Sequence, residues 1–162
     1  KGGWSKEEDM SRLGDKARTY RLPTIINGAL TYKTLELDRG RWVAVCFVPK
    51  LGVIEADLLD RYATDVELLG ATLVLVSMDA GRWPRDSFAS LPHVRIPVVG
   101  DPLGRLQRLF GGATARSWGR ARTFLLDPDG HFRFHLMHSL SERGMGVFME
   151  LLRTYQDEEV PA

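Results

Sequence analysis

Cysteine is nearly missing from this chain, with Cys46 the sole one in 162 residues. That excludes an internal disulfide and any metal site built from cysteines alone, and it fits a reducing, cytoplasmic setting. Charge of one sign is also missing. Lys plus Arg number 22 against 21 for Asp plus Glu, so net charge makes no case for a nucleic-acid or acidic-membrane partner. The longest apolar runs, Trp42–Val48 and Ala71–Ser77, have the length of strands, so no membrane insertion is expected. KGGWSKEED at the amino end has no apolar signal-peptide core, and the absence of an initial methionine leaves room for an upstream segment.

What the chain does have is enough apolar material, 44% of residues, for one domain with a single core. Residues 1–20 read as an arm, either flexible or carrying a short helix from Ser5 to Leu13 with Ser5 and Glu8 as a capping box. Residues 21–156 form the domain, and 157–162 a polar tail. Asn27-Gly28, between alternating residues from Leu22 to Leu37, predicts an N-terminal β-hairpin.

Trp42–Val48 is then a buried strand ended at Pro49. Leu58, Leu59, Tyr62, Val66 and Leu69 recur at helical spacing over 54–69, with Gly70 at the C-cap. Ala71–Ser77 reads as a strand covered on both faces. Further helices are expected at 82–89 and 102–110, with a short strand at 96–99 between them. Asp127-Pro128-Asp129-Gly130 joins strands at 123–126 and 132–136. A closing helix at 146–155 turns Val147, Phe148, Leu151 and Leu152 inward. This order describes an α/β protein with a central mixed sheet flanked by helices.

Five passages add a resemblance. Gly40-Arg41-Trp42-Val43 with Phe47-Val48-Pro49 is similar to G-K-W-V…F-Y-P. Leu69-Gly70-Ala71 running into Ser77-Met78-Asp79 is similar to L-G…G-V-S-x-D. Ile96-Pro97-Val98-Val99-Gly100-Asp101-Pro102-Leu103-Gly104 resembles I-P-L-L-A-D-P-x-G. Thr123–Gly130 resembles T-F-L-I-D-P-D-G, and Met145–Tyr155 matches a last helix. In this order they resemble the alkyl hydroperoxide reductase C / thiol-specific antioxidant family, the peroxiredoxin branch of the thioredoxin-like fold.

The resemblance implies a peroxide-reducing site in P-x-x-x-(T/S)-x-x-C, where a helix N-terminus and an arginine lower the cysteine's pKa. Pro49 is in place and the rest is not. Counted without a gap, Val53 takes the hydroxyl position and Ala56 the cysteine position. Counted back from Leu69-Gly70, Gly52 takes the cysteine position and Glu55 the family's P-T-E glutamate; this register is preferred. Neither supplies a thiol. The family's R-(A/S)-T-F arginine falls on Ala121, flanked by Arg120 and Arg122, and a second family arginine lies one residue from Arg143. There is no resolving cysteine.

Other candidates compete with plainer readings. Cys46, mid-strand between Val45 and Phe47, is a nucleophile only if reachable; otherwise it is a small buried hydrophobe. Arg116, Arg120 and Arg122 could grip an anion or simply be solvated. Alternation puts His131, Arg133 and His135 on one strand face and Phe132, Phe134 and Leu136 on the other. His131 and His135 would stand about 13 Å apart, too far to share a metal. His135 and His138 could meet across a turn, with His93 as a remote third ligand, but a polar strand face is the plainer reading, and no metal or other cofactor is expected. In the family the corresponding strand pairs with its copy in a second subunit, so residues 131–135 become the expected edge of a homodimer. Trp83 and Trp118, near the emptied turn, would be a partner surface if exposed and core if buried.

The leading expectation is a catalytically degenerate peroxiredoxin-like protein, not an enzyme, acting as a binding or assembly subunit of a larger complex. The alternative is a residual thiol oxidoreductase using Cys46. A third reading is a small-molecule or metal binder in the vacated pocket.

Overall fold

The computed structural model of the chain describes residues 19–26, 29–36, 40–48, 53–77, 97–100, 106, 108, 110 and 120–159. The expected helices at 5–13 and 82–89 lie outside the described residues, as does most of the one at 102–110.

Strands β1 (Thr19–Ile26) and β2 (Ala29–Glu36) form the hairpin that Asn27-Gly28 predicts, with Ile26 opposite Ala29. β3 (Trp42–Val48) is buried at every position, as its unbroken apolar run demands. Helix α1 (Val53–Leu68) follows and ends at Gly70, whose φ of 76° is the left-handed conformation that glycine adopts most cheaply. β4 (Ala71–Ser77) runs parallel to β3, which closes a β–α–β unit. β5 (Val98–Val99) is parallel to β4 and antiparallel to β1. β6 (Ala121–Leu126) and β7 (Phe132–His138) form the second hairpin, and α2 (Glu142–Glu159) closes the chain.

The strand order is β2-β1-β5-β4-β3-β6-β7, a seven-stranded mixed sheet with β3 and β4 inside and β2 and β7 at its edges. One face carries Trp42, Ala44, Cys46 and Val48 against Leu59 and Val66 of α1 and Met145, Phe148 and Leu152 of α2. On the other face Val43, Val45, Phe47 and Phe124 pack with Leu106 and Phe110. Edge-on contacts of the Phe47 ring with Phe110 (5.6 Å) and Phe124 (5.8 Å) fix that second layer.

Two expectations about facing are corrected. Val147 is 44% exposed, because α2 buries Met145, Phe148, Met149 and Leu152 and position 147 falls on the opposite side of the helical wheel. The helix also begins four residues earlier than expected, where Ser141 Oγ accepts the Gly144 N–H at 3.1 Å as an N-cap, and it runs on into the expected tail.

The second correction concerns β7. Leu125 faces Phe134 while Leu126 faces Phe132, so Arg133 is an extra residue in a β-bulge. That reverses the alternation. Phe132 and His135 both approach Phe124, at 5.8 and 5.2 Å between ring centroids. Arg133 lies on the helix side instead, over the rings of Trp42 (5.7 Å) and Tyr155 (5.4 Å), next to Phe134. His131, Arg133 and His135 therefore do not share a face.

Candidate functional site

Register places the candidate site at one end of the sheet. Val48 ends β3 opposite Ser77 at the end of β4, Arg122, second residue of β6, lies opposite Phe47, and His138 ends β7 opposite Ala121. α1 begins there after a short connection. In open α/β sheets ligands bind outside the carboxyl ends of the parallel strands, where free helix N–H groups are available.

Pro49 and Gly52 lie outside the described residues, as do His93, Arg116, Trp83 and Trp118. Val53 is the first residue of α1. Glu55, in the first turn, is half-buried, and Ala56 is 5% exposed within the core shared with α2. A methyl group thus stands at this buried position of the helix, and it offers neither a proton nor a nucleophile.

The arginines are not brought together on the helix side. Ala121, the position at which the resemblance expects one, is fully buried there. Arg120 precedes the strand and is exposed. Arg122 points to the opposite face, as strand alternation requires, and its buried Nε has no hydrogen-bond partner. Arg143, second residue of α2, is exposed.

Cys46 has no solvent exposure. Burial pushes its thiol up to about 12, the side-chain hydrogen bond it shares with Thr123 opposing only part of the shift. Thr123 Oγ1 also lies 2.7 Å from His138 Nε2, and His138 Nδ1 lies 3.0 Å from the Ser139 carbonyl. The carbonyl can only accept, so Nδ1 carries the proton and Nε2 accepts from the threonine. Burial holds the His138 pKa below its usual value, against the raising effect of the Ser139 bond. This chain of buried polar groups was not legible in the sequence, because it joins residues from β3, β6 and β7.

His138 faces the helices while His135 stacks on Phe124 on the other side, so the two cannot share a metal ion. A grouping that sequence reasoning missed is Asp127, Asp129 and His131, whose potential ligand atoms lie within 4.8 Å of one another. Asp127 Oδ1 accepts the backbone N–H groups of Asp129 (3.0 Å) and His131 (2.9 Å), and Arg133 stands 3.6 Å from Oδ2. Those contacts account for the cluster as the tie of the β6–β7 turn. β7 itself pairs with β6 on one side and with no other strand among the described residues.

The hairpin, the β–α–β unit, the antiparallel β6–β7 pair and the closing helix together make a peroxiredoxin-type thioredoxin-like fold. The particular likenesses are to alkyl hydroperoxide reductase C structures. The chain matches AhpC of Mycobacterium tuberculosis with a TM-score of 0.65 and 22% identity, over 93% of this chain and 96% of that one. It matches the crystal structure of Enterococcus faecalis AhpC with a TM-score of 0.64 and 19% identity, over 86% and 89% of the two chains. No protein-family model and no curated protein sequence matches the chain.

Proposed function

We propose that this chain is a catalytically degenerate member of the AhpC-like peroxiredoxins that serves as a binding or assembly subunit. The observation that carries the reading is the state of its only thiol. Cys46 is sealed in the middle of the sheet with its pKa raised to about 12, whereas peroxide reduction needs an accessible thiolate. The first turn of α1, with Val53, Glu55 and Ala56, carries neither thiol nor hydroxyl. The same burial counts against a residual oxidoreductase at Cys46, and the exposure of Arg120 and Arg143, with Arg122 on the face away from Cys46, counts against a vestigial anion pocket.

The assembly surface in this proposal is the free edge of β7, carrying exposed His131 and His135 and half-buried Phe132 and Phe134, which pairs with a second copy of the chain. A reducing cytoplasm is part of the same proposal and rests on the free thiol. No helix among the described residues is long and apolar enough to cross a membrane.

The test is hydrogen peroxide or alkyl hydroperoxide consumption with a thiol reductant. Turnover no faster than the reductant alone is expected. Turnover that disappears in Cys46→Ser would overturn the reading.

A further inference from the structure

We propose that His138 is a pH-sensitive latch, closing the corner between β7 and α2 over Cys46 when neutral and releasing it when protonated. The inference stands whether or not the chain reduces peroxide.

The geometry is a single directed chain of hydrogen bonds. With His138 neutral, the Cys46 thiol has the Thr123 hydroxyl to donate to, the hydroxyl donates to Nε2 over 2.7 Å, and Nδ1–H donates to the Ser139 carbonyl over 3.0 Å. Each group gives one proton and every acceptor is used. A proton added to Nε2 reverses the middle of the chain. Nε2–H then needs the threonine oxygen as acceptor, the hydroxyl must turn toward Cys46 Sγ, and the thiol hydrogen loses its partner.

Among the described residues nothing neutralises the imidazolium: His138 is 6% exposed and forms no ion pair with any of them. β3 contributes Cys46 to this side, and β6 contributes Thr123, since Arg122 points away. α1 carries Glu55, Arg61 and Tyr62, while the first turn of α2 carries Glu142 and Arg143; Glu142 is already engaged by Arg61 and by the Tyr62 hydroxyl at 3.0 Å. Burial accordingly favours the neutral ring, and acid supplies the opposing drive.

The mechanical coupling runs through Ser139. Its carbonyl holds the His138 ring, and its hydroxyl lies 2.7 Å from Ser141 Oγ, which caps Gly144 N–H. The same carbonyl is packed so tightly on Gly144 that a Cβ there would lie 2.1 Å from it. A ring that leaves its pocket must therefore disturb the first turn of α2, which lies on the Cys46 side of the sheet.

Cys46 provides the readout, being the only thiol in the chain. The purified protein is labelled with 4,4′-dithiodipyridine, a reagent active in acid, and each rate is divided by that of glutathione at the same pH. We expect the normalised rate to rise at least tenfold from pH 7.5 to pH 5.0 with an unchanged far-UV circular dichroism spectrum, and to change less than twofold in His138→Gln. A flat wild-type profile, or an equal rise in His138→Gln, would overturn the latch. Should His138→Gln fail to fold, the His138 ring is followed by NMR in the wild-type protein. A titration midpoint below 6.5 that coincides with the labelling midpoint is expected. A ring that titrates with no change in labelling would refute it.

Discussion

Cys46 lies opposite Thr123 in the sheet, and what it can do follows from that neighbour and from burial. Its folded pKa, about 12, is raised above the ordinary value of 9.0. The stability linked to the neutral thiol is therefore complete below pH 9 and is lost as pH rises toward 12, where the unfolded chain ionises and the folded one does not. Full loss amounts to about 4 kcal/mol by the usual conversion of pKa into free energy. Urea titrations at pH 8 and pH 10.5 should show the midpoint falling in the wild-type protein and falling less in Cys46→Ala, which has no thiol to ionise. His138 has the opposite dependence: with its folded pKa lowered, stability is present above 6.5 and declines as pH falls below it. The burial of Cys46 was legible from its place in an unbroken apolar strand. Its hydrogen-bond partner was not, since Thr123 is remote in the chain.

Among the elements, α2 shows how close packing overrides helix propensity. It contains two glycines in its first turns, both poor helix formers. A Cβ at Gly144 would strike the Ser139 carbonyl at 2.1 Å, whereas one at Gly146 meets nothing within 4 Å. Gly144→Ala should destabilise the protein by about 1–3 kcal/mol, the range for overpacking. Gly146→Ala should stabilise it by about 0.5–1 kcal/mol through helix propensity alone. Urea unfolding followed by circular dichroism distinguishes the pair, and equal effects would contradict the packing of Ser139 on the helix. Periodicity revealed that a helix closes the chain but put its start at Gly146, four residues late. β7 is a similar case. Alternation assigned its faces correctly for a regular strand, and the bulge at Arg133 reversed them from that point on.

At the scale of the molecule, β2 and β7 are the outermost strands of the sheet among the described residues. If β7 pairs with a second copy of itself, sedimentation velocity at tens of micromolar should show a dimer. His135→Lys should weaken the dimer at least tenfold, because like charges would then face each other near the two-fold axis. The far-ultraviolet circular dichroism spectrum should stay unchanged, His135 being exposed. A wild-type protein that sediments as a monomer would remove β7 as the proposed assembly surface.

Among the described residues the order of elements was determined by the sequence alone, because it depends on local physics: apolar period, turn residues such as Asn27-Gly28 and Asp129-Gly130, and glycine at the end of α1. That the first turn of α1 carries no thiol was legible too, since it needs only residue identity. Which side chains meet was decided by the tertiary structure. The alignment of Cys46, Thr123 and His138 comes from the register of three strands, and the separation of His135 from His138 and of Arg122 from Ala121 comes from the two-sidedness of the sheet. Neither register nor the bulge has a signature in a single segment, because each is an energy shared between strands distant in the chain.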